Sequence, residues 1–177
     1  MDALWRDFTW RRADPESPVC KLRDNIPDAC AEDHYLAAAI RRAVSSIRPN
    51  GKMHNHQSKV SGHLSFFKAA LIWNIKSIAK AETFGQLYHT VDMLKTSGIG
   101  PMTVYDVSVR IGAYMSLKPD RIYLHAGTKL GLKALGIKPW PREVSVPMEL
   151  LPPPLDRQDP DTVEDFLCTY RSAFERI

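Results

Sequence analysis

Apolar residues recur along most of this chain at the three- and four-residue spacing of amphipathic helices. Tyr35, Leu36, Ile40, Val44 and Ile47 predict a helix over residues 29–47, with Glu32 and Asp33 near its start and Pro49-Asn50-Gly51 as its stop. Leu64, Phe67, Leu71, Ile75 and Ile78 define the buried face of a second helix over 61–81. Phe84, Leu87, Tyr88, Val91 and Leu94 do the same over 83–95. A fourth helix is expected over 100–115 and a fifth over 126–135. A last helix is expected over 162–174, docked by Val163, Phe166, Leu167 and Tyr170. No stretch alternates at period two for long enough to predict a strand ladder, and no segment repeats. The expected fold class is all-α.

Three regions follow from this pattern. Residues 1–28, interrupted by Pro15, Pro18 and Pro27, read as an irregular arm anchored by Trp5, Phe8 and Trp10. Residues 29–138 form the helical core. Residues 139–177 hold more than half of the 13 prolines and then the last helix, an extended wrap followed by a docking element. With 177 residues, 44% hydrophobic and 25% charged, the chain has the composition of one globular domain rather than of a disordered one. The longest apolar candidate, Phe66 to Ile78, is broken by Lys68, Asn74 and Lys76, so no membrane span is expected. Cys20, Cys30 and Cys168 are too few and too scattered for a disulfide frame or a CxxC zinc site. The mixed-charge start Met1-Asp2-Ala3-Leu4 lacks a signal core. The expectation is a monomeric cytoplasmic protein without cofactor or metal.

The net charge of +4 conceals a division. Residues 41–138 hold 15 Lys and Arg against four acids, Glu82, Asp92, Asp106 and Asp120, while both flanks are net acidic. A basic middle of this kind is the electrostatic footprint of a polyanion binder, because each phosphate neutralised releases counterions. The basic groups are spread over several elements rather than along one amphipathic helix, which favours nucleic acid over a membrane surface.

Within that basic stretch the run Leu94-Lys95-Thr96-Ser97-Gly98-Ile99-Gly100-Pro101-Met102-Thr103 ends one helix at a glycine, plugs the turn with one apolar residue and opens another helix. This is a helix-hairpin-helix pattern, spanning residues 84–115 with its flanking helices. Its glycines allow a tight turn with amides open to a phosphate, and Pro101 suits a first helical turn. Pro119-Asp120-Arg121-Ile122-Tyr123-Leu124-His125 and the closing Leu135-Gly136-Ile137 extend the pattern. From Leu94 to Ile137 the chain resembles the helix-hairpin-helix superfamily of DNA glycosylases, whose pattern is G-[IV]-G-x-x-T-A, a helix, P-D-x-x-P-x-D, and a helix ending in L-G-[LI]. The resemblance implies a compact helical glycosylase-like fold and a partner: double-stranded DNA carrying a modified or damaged base, flipped into a pocket. It also implies that Lys95, Gly98, Ile99, Gly100, Thr103 and Lys118 hold the DNA backbone.

The resemblance has chemical consequences as well. Bifunctional members carry a lysine nucleophile two residues after the second hairpin glycine. Met102 stands there, which implies a monofunctional, hydrolytic enzyme without a Schiff base. The family's catalytic aspartate falls on His125 when both downstream anchors are used, and on Asp120 when counted from the hairpin alone. Cleaving an N-glycosidic bond builds positive charge on the sugar, so a carboxylate beside it is needed. Asp106, one helical turn beyond Met102, is a third candidate for that role. In His54-Asn55-His56-Gln57 the histidines, with His63, suggest a metal only weakly. The better reading is a DNA-facing loop whose Gln57 is inserted as a wedge, and Trp73, Tyr105 and Tyr114 are candidate base-stacking residues. The expected function is excision of a modified base to leave an abasic site, in repair or in defence against phage DNA. The rival is a non-catalytic helix-hairpin-helix DNA-binding module, and a third reading is an RNA- or protein-binding relative.

Overall fold

The computed structural model describes residues 1–14, 26–48 and 50–174. In chain order the described helices are α1 (Asp2–Ala13), α2 (Ile26–Ala31), α3 (Leu36–Ser45), α4 (Asn55–Ser58) and α5 (Leu64–Trp73). They continue as α6 (Ile75–Ile78), α7 (Phe84–Met93), α8 (Pro101–Met115), α9 (Ala126–Ala134) and α10 (Pro160–Tyr170). Two three-residue strands, β1 (Arg121–Tyr123) and β2 (Ser145–Pro147), pair antiparallel with Ile122 opposite Val146. The protein is mostly helical, as the periodicity predicts, and the small sheet corrects the expectation of no strands. Contacts divide the chain into two compact units, Asp24–Lys118 and Met1–Arg23 with Pro119–Ile177. The division therefore falls at Pro119 rather than after residue 138.

In the unit Asp24–Lys118, α8 is the central helix and packs against α2, α3 and α7. It buries Thr103, Val104, Tyr105, Val107, Ser108, Arg110 and Ile111, a face too wide for a surface helix. Ile40, Phe67, Leu71, Ile78 and Leu87 are fully buried in this unit, each burial contributing roughly 1.5–3 kcal/mol. The expected helix over 29–47 is two helices, because Tyr35 is extended and Asp33 bonds the Arg42 guanidinium twice at 2.9 Å. The expected helix over 61–81 is also interrupted. Asn74 caps α5 with its own side chain, donating to the Ala70 carbonyl at 2.9 Å, and α6 restarts after it.

The second unit is built on α9, α10 and the β1–β2 pair, with α1 against α10. Its core joins Trp5 and Phe8 of α1 to Ile122, Leu132, Val146, Leu155, Val163, Phe166 and Leu167. Phe166 stands edge-on to Trp5 and Phe8 with centroids 5.1 and 5.2 Å apart. The Tyr170 hydroxyl donates to Asp7 at 2.6 Å, and Arg12 pairs with Asp165. Residues 2–13 are thus helical, which corrects the expected irregular arm, although Trp5 and Phe8 are anchors as expected. Trp10 is not one, being 65% exposed. Pro15 and Pro18 lie outside the described residues. Pro27 sits in the first turn of α2, where its missing amide proton is harmless.

Candidate functional site

The hairpin joins α7 to α8. Leu94 closes α7, Lys95 N–H bonds the Asp92 carbonyl at 3.2 Å, and Ile99 N–H bonds the Thr96 carbonyl at 3.1 Å. Gly98 has φ of 83°, a left-handed conformation, and a Cβ there would lie 2.5 Å from the His63 ring. Gly100 is the N-cap of α8 and has no side chain to cap it. The first intrahelical amide bond, Val104 to the Gly100 carbonyl, leaves the Met102 and Thr103 amides at the uncapped end. Ile99 plugs the turn at 7% exposure, and the Thr103 side chain is also buried, so both offer backbone rather than side chain to a partner. Lys95 and Lys118 are exposed, Lys95 bonding Asp92 at 2.7 Å.

Asp106 lies on α8 six residues past Gly100 and three to four past the uncapped amides, about 5 Å along the axis from them. A loop is closed by His54 N–H donating to the Ser46 carbonyl at 2.9 Å and by an Ile47–Met53 bridge. That loop sets α4 against α8. Gln57, fully buried, donates from Nε2 to Asp106 Oδ2 at 2.8 Å. With its amide turned that way, Gln57 Oε1 must accept, and it faces Arg110 at 3.5 Å and His54 Nδ1 at 3.0 Å. His54 Nδ1 also receives the His56 backbone N–H at 3.4 Å, as the N-cap of α4. Arg110, 1% exposed, also donates to the Ala43 carbonyl at 3.0 Å, placing a cation on the last turn of α3.

The electrostatics of Asp106 follow from these neighbours. Burial pushes its carboxyl up, but His56 Nδ1 at 3.6 Å, the Arg110 guanidinium at 4.0 Å and the Gln57 amide outweigh that and hold it below the usual carboxylate range. The protein contacts fall on Oδ2, whereas Oδ1 has no partner among the described residues. The Asp106 side chain keeps 19% exposure and that of His56 42%, so the cluster is closed behind and open in front. His54, His56 and Asp106 also bring one ligand atom each within 4.8 Å of one another. A divalent cation there would face Arg110 across the same oxygen, so the donor set fits an ion pair better than a metal.

Among the expected site residues, then, Gln57 and Asp106 are brought together. Gln57 is not a wedge: it is buried and spent on Asp106, a correction the sequence pattern did not foresee. Tyr105 is buried in the core at 3% exposure rather than presented to a base, while Trp73 is 89% exposed. Asp120 is exposed in the other unit, beside Tyr123, whose hydroxyl is pushed up to about 12 by burial and then by Asp120.

His125, 4% exposed, caps α9 by accepting Gly127 N–H on Nδ1 at 3.2 Å, while its own N–H bonds Thr128 Oγ1 at 2.9 Å. Its Nε2 meets the buried Glu164 carboxylate. With Nδ1 accepting, the ring proton lies on Nε2 and is given to Glu164. Both nitrogens are committed, so His125 holds structure and has no lone pair left for water. Cys168 completes a second possible ligand group with them, but a ligating Nε2 would have to surrender that proton. Sequence reasoning missed Arg110 and Glu164. Arg110 was signalled as the one basic residue of α8, four residues after Asp106; Glu164, in a segment rich in acids, carried no signal.

No helix among the described residues is long and apolar enough to cross a membrane. Comparison with protein-family models, curated proteins and solved structures finds no match to this chain.

Proposed function

We propose that this protein is a monofunctional DNA N-glycosylase that binds duplex DNA through the hairpin and hydrolyses the bond to a modified or damaged base. The observation that carries the reading is Asp106: an ionised carboxylate, pinned through one oxygen, whose other oxygen has no partner among the described residues, on the helix that the hairpin opens. The amides of Met102 and Thr103 and the cleared space at Gly100 suit a phosphate. A carboxylate about 5 Å further on suits the sugar of the adjoining flipped nucleotide.

In the reaction the N-glycosidic bond breaks, its electrons leave with the base, and positive charge develops on the sugar ring. Asp106 Oδ1 stabilises that charge, and water then forms the new bond to C1′ while its proton passes to the departed base, which holds the bonding electrons. A carboxyl held below its usual range is a weak base at neutral pH, so the Asp106 contribution is electrostatic more than proton-abstracting. Met102 supplies no nucleophile, so no covalent enzyme–DNA adduct forms. Mass-spectrometric detection of free base released from duplexes carrying a panel of modified bases tests the reading. Release of one base with an abasic strand left behind supports it, and intact DNA across the panel opposes it.

One observation favours a second reading. Arg110 is fully buried and ties Asp106, Gln57 and the Ala43 carbonyl together, which is what a purely structural core network does. In that case the hairpin belongs to a non-catalytic DNA-binding module, which binds duplex DNA and releases nothing.

A further inference from the structure

α9 carries Lys129 and Lys133 one turn apart, and both side chains are exposed. The helix ends on a Schellman turn. Ile137 N–H donates to the Leu132 carbonyl at 2.9 Å, Gly136 N–H donates to the Lys133 carbonyl at 3.0 Å, and Gly136 has φ of 77°. The reversal brings the following residues back beside the helix, so that Lys129, Lys133, Lys138 and Trp140 line one open cleft of about 260 Å³. Pro139 and Pro141 restrict the backbone on either side of Trp140. The Trp140 N–H donates to Glu143 Oε2 at 2.7 Å, and Glu143 N–H returns to the Trp140 carbonyl at 3.0 Å. The Trp140 backbone is thereby fixed, yet its ring is 78% exposed.

Two features of this cleft ask for a ligand. Its three lysines have no carboxylate partner among the described residues, so the cleft attracts an anion. A rigidly based indole left in water beside them offers a planar surface for a planar ring. One anion adjoining one aromatic ring is the chemistry of a nucleotide unit. The cleft is smaller than the roughly 300–1,000 Å³ of sites for drug-sized ligands, which suits a single such unit. In a duplex the base faces are covered by stacking, so a ring lying flat on Trp140 must come from an unpaired nucleotide.

The geometry points to a single-strand nucleic-acid subsite, in which one unpaired base stacks on Trp140 while Lys129, Lys133 and Lys138 hold the adjoining phosphates. The subsite uses none of the residues around Asp106, and it stands or falls independently of base excision.

The test is binding of the full-length protein to a dye-labelled oligothymidylate of about ten nucleotides, followed by fluorescence anisotropy across a salt series. Trp140→Ala is expected to weaken binding by about 5- to 150-fold, the range for loss of one base–aromatic stack. Trp140→Phe is expected to restore most of that loss. Lys129→Ala with Lys133→Ala is expected to reduce the log–log salt slope by about 1.4, at about 0.7 for each single-strand phosphate contact. All four residues are exposed, so the variants should keep the wild-type circular dichroism spectrum and Tm. Wild-type affinity and slope in all these variants overturns the proposal. So does equal affinity for an abasic deoxyribose-phosphate chain, which has phosphates but no ring to stack. Displacement of the oligonucleotide by phosphatidylserine vesicles that themselves require Trp140 overturns it in favour of a lipid surface.

Discussion

Gln57 Nε2 donates to Asp106 Oδ2 at 2.8 Å, joining the short helix α4 to the central helix across 49 positions of sequence. The bond fixes which way the Gln57 amide points, so that Oε1 faces His54 Nδ1 and Arg110. Gln57→Leu keeps the bulk and removes both functions, leaving buried polar partners unpaired. A loss of about 1–3 kcal/mol is expected, measured by urea unfolding. An unchanged midpoint would show that the cluster does not depend on Gln57.

Acid stability follows from the same cluster. The folded Asp106 carboxyl titrates below an unfolded one, so its ionic ties contribute stability above the unfolded pKa of about 4 and are lost as pH falls through the lower folded value. At neutral pH, Asp106→Asn is expected to be less stable than wild type by about 2–3 kcal/mol. That difference should shrink steadily from about pH 5 downward. Urea unfolding of both proteins across that range checks it, and a constant difference would mean that the Asp106 charge is not what is stabilising.

The two hairpin glycines separate folding from binding. Gly98 needs its left-handed φ and abuts the His63 ring, so Gly98→Val should lower Tm as well as duplex affinity. Gly100 has an ordinary φ of −94° and nothing within 4 Å of a Cβ. Gly100→Val should keep Tm within a few degrees yet weaken duplex binding about tenfold, because the side chain fills the approach to the uncapped amides. Unchanged duplex affinity in Gly100→Val would make the hairpin a structural turn only.

His125 provides the converse case, a residue expected as catalytic that the structure commits to a cap and a carboxylate. His125→Ala removes the α9 cap and strands the buried Glu164, for an expected loss of about 2–5 kcal/mol. Excision by the fraction still folded should match wild type. Loss of excision at full helical content would restore His125 to the active site.

Much of the helical layout was legible in the sequence because long apolar stripes such as Phe84-Leu87-Tyr88-Val91 bury one face whatever surrounds them. Helix interruptions were less visible, since Asn74 breaks its helix through a side-chain bond that periodicity does not register. β1 and β2 are three residues each, too short for alternation to show. At the site, Asp106 could be placed on its helix by counting turns. The direction of the Gln57 side chain depends on how the loop over 46–54 closes, a tertiary matter, and so the sequence suggested an inserted wedge where the structure has a buried clamp.

The most direct measurement is single-turnover excision by wild type and by Asp106→Asn, at a temperature where both are folded, on a duplex whose modified base the wild type releases. Alkali-labile strands report excision, and anisotropy reports duplex affinity. The account predicts a rate lower by about 100-fold or more in Asp106→Asn, with affinity changed by less than about threefold and no borohydride-trapped adduct in either protein. Full excision by Asp106→Asn, or no alkali-labile strand with the wild type on any modified-base duplex, would contradict it.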